Sequence, residues 1–73
     1  MQKFYEILEN ILETKVDATT DINIQNCSAW NSLAHIDIIM SLEEEFNIKF
    51  DKEKLTKLNS QKILLDEIQK LIK

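Results

Sequence analysis

The chain has 73 residues, neither glycine nor proline, one cysteine, one histidine, and a formal net charge of −4 from 13 acidic and 9 basic residues. A length of one domain, 1–73, leaves little room for an enclosed catalytic site, so the chain is read as a non-enzyme. The composition excludes glycine-rich phosphate loops, zinc clusters and an intrachain disulfide, and the acidic balance repels nucleic acid and favours basic protein partners.

Phe4, Ile7, Leu8, Ile11 and Leu12 recur at helical spacing, with Glu6, Glu9 and Glu13 between them. This predicts an amphipathic first helix over roughly residues 2–14. The N-terminus, Met1–Tyr5, lacks a basic segment followed by an apolar run, and no stretch approaches a membrane span. The expectation is a cytoplasmic monomer with no membrane insertion.

Residues 15–31 are rich in Thr, Asp, Asn and Ser and show no helical period. They predict a long ordered loop, pinned by Val16, Ile22, Ile24 and Trp30. Cys27 reads as a small residue in or near the core, with a reactive role as the alternative. Asn31 suits a helix N-cap and starts a second helix, Ser32–Phe46, which Asn47 stops. Ile48 and Phe50 read as buried in the next connection. Asp51 caps a short third helix ending near Leu58. Asn59 or Ser60 caps a fourth through Ile63, Leu64, Ile68, Leu71 and Ile72, closed by Lys70 and Lys73. The fold class is all-α: a four-helix bundle with three main helices, one short one, and a long loop between the first two.

The second helix carries two apolar stripes. At about 100° per residue, Ile38, Ile39, Leu42 and Phe46 share one arc and form a core stripe. Leu33, Ile36 and Met40 share another, centred about 140° away. The second stripe is either an exposed docking strip or a surface covered by the long loop. Glu43 lies on one side of it, and Asp37 and Glu44 on the other. An apolar strip edged by carboxylates suits a partner groove rimmed by Arg or Lys. The run Glu43-Glu44-Glu45 suggests mutual repulsion that cations would relieve.

Ser32 opens this helix, where unpaired N–H groups and the helix dipole favour an anion. Its hydroxyl is either an ordinary helix-start serine or a site of modification. His35 falls with the core stripe, either half-buried at the mouth of the bundle or lining an entrance to it. Trp30 reads as an anchor fixing the approach to Ser32.

The segment Asn31-Ser32-Leu33-Ala34-His35-Ile36-Asp37-Ile38-Ile39-Met40-Ser41-Leu42-Glu43-Glu44-Glu45-Phe46-Asn47-Ile48-Lys49-Phe50 resembles the acyl carrier protein family. The family pattern is Asp-Ser-Leu, then aliphatic positions at fixed spacing, then Leu-Glu-x-x-Phe-x-Ile. Ser32, Leu33, Ile36, Ile38, Ile39, Met40, Leu42, Glu43, Phe46 and Ile48 stand in register with it. The resemblance is specific over these twenty residues; elsewhere it extends to helix order, length and acidity.

The resemblance implies an acyl-carrier-like four-helix bundle. It implies a 4′-phosphopantetheine arm attached to Ser32 by a phosphopantetheinyl transferase from coenzyme A and Mg²⁺. Acyl or aminoacyl groups would ride on that arm as thioesters. Leu33, Ile36, Asp37, Met40, Glu43 and Glu44 would dock acyl-transferring or acyl-activating enzymes bearing basic patches. His35, Ile39 and Phe46 would line an acyl pocket. No residue of the chain is expected to be catalytic or to bind metal. The family's Asp before the serine is Asn31 here, and Ala34 stands where fatty-acid carriers often have an acid. These neutral positions point to a specialised carrier for a polyketide, a modified fatty acid or a surface polysaccharide. A housekeeping fatty-acid carrier and an unmodified helical interaction module are the alternatives.

Overall fold

Phe4, Leu8 and Leu12 repeat every four residues, so one face of the first helix is continuously apolar, and all three are buried. The computed structural model describes residues 2–72. Its first helix, α1, spans Gln2–Leu12 and stops short of the expected residue 14. Glu13 takes a left-handed conformation (φ 53°) and donates its N–H to the Glu9 carbonyl at 2.8 Å, which closes the helix. The Glu9 carboxylate then accepts the N–H of Val16 at 3.2 Å and steers that side chain into the core.

The connection to the next helix holds no α-helix, as its polar composition predicts. Val16 and Trp30 anchor it as expected, and Ile22 and Cys27 pack half-buried against the core. Ile24 does not: it is 41% exposed, and only its backbone is tied, by an N–H bond to the Asn59 carbonyl. The main polar anchor is Gln61. Its buried amide accepts from the Thr20 hydroxyl at 2.6 Å and the Ile22 N–H at 3.3 Å, and donates to the Asp17 carbonyl at 2.7 Å. An isolated bridge between Asn23 and Ser60 lies beside it.

Helix α2 spans Ser32–Phe46 and ends where Asn47 turns left-handed (φ 53°). Ile48 is half-buried and Phe50 buried. The third helix, Lys52–Lys57, is a 3-10 helix capped by Asp51, whose carboxylate accepts from Glu53 N–H at 3.0 Å. Leu55 is the one apolar side chain in KEKLTK. No helical stripe exists there to sustain α geometry, and a tight turn suffices to carry the chain from Phe50 to buried Leu58.

Helix α3, Gln61–Leu71, is capped by the Ser60 hydroxyl, which accepts from Ile63 N–H at 3.2 Å. Leu64 and Ile68 face inward, whereas Ile63, Leu71 and Ile72 are exposed. Lys70 stands in the last turn; Lys73 lies outside the described residues. The result is all-α: α1 packs on α2, and buried side chains from the three α-helices and the connections join in one core. No helix among the described residues is long and apolar enough to cross a membrane.

Candidate functional site around Ser32 and the α2–3-10 cleft

Asn31 caps α2 by accepting the Ala34 N–H at 2.9 Å, so the side-chain acceptor survives without the charge of an aspartate. Ser32 is the first residue of the helix and is exposed. No acidic side chain stands in that first turn. The N–H groups of Ser32 and Leu33 have no intrahelical acceptor by helix geometry, and an anion on Ser32 would meet the positive end of the helix dipole. These residues fit a phosphodiester on the Ser32 hydroxyl.

The two stripes of α2 separate as the helical wheel predicts. Ile38, Ile39 and Leu42 are buried, and Phe46 is half-buried against the core. Leu33, Ile36 and Met40 are 79%, 56% and 63% exposed, so the loop does not cover them. Asp37 and Glu44 flank this strip in solvent. Glu43 is placed differently. It is half-buried, and its carboxylate accepts the Phe50 N–H at 2.8 Å, which holds the chain as it leaves the helix. Glu43 lines the neighbouring cleft together with Ile36 and Met40 of the strip. The described residues hold no cluster of three or more His, Cys, Asp or Glu placed to hold a metal ion.

His35 bridges two elements. Its Nδ1 accepts the indole N–H of Trp30 at 3.1 Å, and its Nε2 lies 2.8 Å from the Leu55 carbonyl. An indole N–H can only donate, so Nδ1 is the acceptor and Nε2 carries the hydrogen given to Leu55. Trp30, 2% exposed, thereby anchors the loop as expected and also sets the imidazole's tautomer.

Two cavities flank this bridge. A groove of about 310 Å³ runs past Ser32, His35, Ile36, Ile24, Thr56 and Asn59. An apolar cavity of about 290 Å³ lies between α2 and the 3-10 helix, lined chiefly by Ile39, Met40, Phe50 and Leu55, with Glu43, Lys49 and Lys52 at its polar parts. His35 and Ile36 line both. His35 and Ile39 line this cavity; Phe46 does not, and its side chain packs half-buried against the core. Lys49, Phe50, Lys52 and Leu55 were not legible beside the site, since each takes its place only when residues 48–58 fold back along α2, and Ile24 comes to the groove through its backbone bond to Asn59.

The chain matches no protein-family model, and no curated protein or solved structure is significantly similar to it.

Proposed function

We propose that this chain is an acyl carrier whose Ser32 bears a 4′-phosphopantetheine arm, and that its all-α fold is an acyl-carrier-like four-helix bundle. The reading rests on the resemblance of residues 31–50 to that family. The observation that carries it is the placing of an exposed Ser32 at the unneutralised start of α2, next to the exposed Leu33–Ile36–Met40 strip.

In the proposed reaction a phosphopantetheinyl transferase binds along α2 with Mg²⁺ and coenzyme A. The Ser32 oxygen bonds to the β-phosphorus, the pyrophosphate linkage breaks, the adenosine bisphosphate half leaves, and the hydroxyl proton passes to the transferase. The chain itself supplies an accessible nucleophile, a helix end that favours the new phosphodiester, and a docking strip. The thiol of the arm then holds acyl or aminoacyl groups as thioesters for acyl-transferring or acyl-activating enzymes. The carrier raises the local concentration of the cargo at each of them.

Neutral Asn31 and Ala34 at the start of α2 favour a specialised carrier over a housekeeping one, because docking there leans on apolar contact more than on charge. A coenzyme A analogue labelled on its thiol end provides the test. The expected outcome is transfer of the label to the wild-type chain and none to Ser32→Ala; an unlabelled wild type with several transferases contradicts the reading. The exposed strip would then favour an unmodified helical interaction module.

A further inference from the structure

Leu33, Ile36 and Met40 follow one another at three- and four-residue steps on α2, so they form one ridge along the helix. All three are exposed. With Met40 as the reference on the wheel, Asp37 and Glu44 stand about 60° and 40° to one side, and Glu43 and Ile39 about 60° and 100° to the other. The two sides differ in charge. On the first, Asp37 and Glu44 are both exposed carboxylates.

On the second side residues 48–58 return along the helix. Lys49 and Lys52 there line the same cleft as Ile36, Met40 and Glu43, and both lysines are exposed. The ion pairs among the described residues are Lys15–Asp17, Lys54–Glu67 and Lys70–Asp66, so neither Lys49 nor Lys52 is held by a carboxylate. Glu43 is the one acid lining this cleft, and its half-buried carboxylate is committed to the Phe50 N–H at 2.8 Å. Asp51 and Glu53 lie outside the cleft lining, and the Asp51 carboxylate is turned to the Glu53 N–H. The ridge therefore has carboxylates along one edge and ammonium groups along the other.

We propose that this two-signed ridge docks an amphipathic helix of a protein partner. That helix carries Arg or Lys along the edge that meets Asp37 and Glu44, and Asp or Glu along the edge that meets Lys49 and Lys52. A narrow apolar ridge at helical spacing suits the stripe of a second helix. The charges add direction, because turning a helix end for end exchanges its edges, and only one direction pairs both. A helix basic on both edges meets repulsion at Lys49 and Lys52, so the ridge selects among partners as well as orienting them. This partner choice rests on the proposed reading in taking the ridge for a docking surface, and it holds whether or not Ser32 is modified.

Three stapled helical peptides with the same Leu stripe serve as probes, each bearing a nitroxide at its N-terminus. One has Arg on one edge and Glu on the other, the second has these edges exchanged, and the third has Arg on both. Each is titrated into the isotope-labelled full chain at about 0.15 M salt, where charges beyond about 8 Å are screened. Both two-signed peptides are expected to bind about fivefold more tightly than the all-Arg peptide, as two exposed pairs turned from repulsion to attraction would give. The nitroxide is expected to broaden the Leu33 amide signal with one two-signed peptide and the Glu44 signal with the other. Lys49→Glu with Lys52→Glu is expected to reverse the preference toward the all-Arg peptide. Lys57→Glu with Lys62→Glu makes the same change in net charge at exposed positions outside the cleft and is expected to leave the preference as it was. Equal or tighter binding of the all-Arg peptide to the wild type overturns the proposal, as does finding both two-signed peptides lying in the same direction. No binding by any peptide overturns the ridge as a docking surface, while transfer of a labelled arm to Ser32 still reads the carrier function on its own.

Discussion

The Glu43 carboxylate accepts the backbone N–H of Phe50 at 2.8 Å. The same arrangement occurs at the end of α1, where Glu9 accepts from Val16. In both cases the glutamate lies three residues before the helix end, a residue with φ 53° follows the last helical position, and the residue seven after the glutamate is buried. A carboxylate thus turns the chain back onto the core at two exits, in a protein with no glycine to ease the left-handed positions.

Glu43→Ala is therefore expected to lower stability by about 1.5–3 kcal/mol, the range for a hydrogen bond to a charged acceptor. Glu43→Gln, which keeps an acceptor, loses less. Glu44→Ala, exposed one residue on, changes stability by less than about 0.5 kcal/mol. Urea unfolding of the three variants measures the ranking.

Gln61 is the buried polar residue on which residues 17–22 depend. Gln61→Leu leaves the Asp17 carbonyl, the Ile22 N–H and the Thr20 hydroxyl without that partner. The expected loss is about 2–4 kcal/mol, since each polar group stranded away from water costs about 1–3 kcal/mol and part of this region is reached by solvent. Gln61→Glu keeps the acceptor but not the donor to Asp17 and falls between. Denaturant midpoints at constant m-value test this order.

On the proposed carrier reading, Leu33, Ile36 and Met40 would serve docking while their neighbours Ile38 and Ile39 serve folding. Met40→Ala is then expected to leave the melting temperature nearly unchanged and to lower kcat/KM of a phosphopantetheinyl transferase acting on the chain by about tenfold, as for a contact worth about 1.4 kcal/mol at an interface. Ile38→Ala, at a fully buried position, costs about 2–5 kcal/mol of stability. Paired thermal melts and transferase kinetics check both halves.

Much of this was legible in the sequence because it depends on local rules. Alternating acids and aliphatics define α1, the two stripes of α2 are a property of the wheel, and Asn31, Asp51 and Ser60 are caps by residue type. The misplaced residues depend on long-range packing. Ile24, expected to pin the loop, is apolar but lacks a facing layer. Phe46 has the right spacing for the pocket, yet the cavity lies nearer the middle of α2, where Phe50 and Leu55 return. Gln61 carried no signal, because a lone glutamine at a helix start matches no pattern, and its three bonds span about forty residues.

Asp17 governs one part of the acid response. Hydrogen bonds from the Thr19 hydroxyl, then from its N–H, hold the Asp17 carboxyl below the ordinary aspartate range, with Lys15 adding to the effect. A lowered folded-state value means the stabilisation is complete above the ordinary aspartate pKa and is lost as pH falls through the folded one. Asp17→Asn, which cannot titrate, is expected to flatten that acid limb in stability measured against pH, leaving the neutral limb parallel to wild type.

The most direct test of the carrier function is intact mass after treatment with octanoyl-coenzyme A, Mg²⁺ and a broad-specificity phosphopantetheinyl transferase, read before and after neutral hydroxylamine. The account predicts one octanoyl-phosphopantetheine on the wild type, none on Ser32→Ala, and loss of the octanoyl group alone with hydroxylamine. An unchanged wild-type mass with several transferases, or an equal gain on Ser32→Ala, would contradict it.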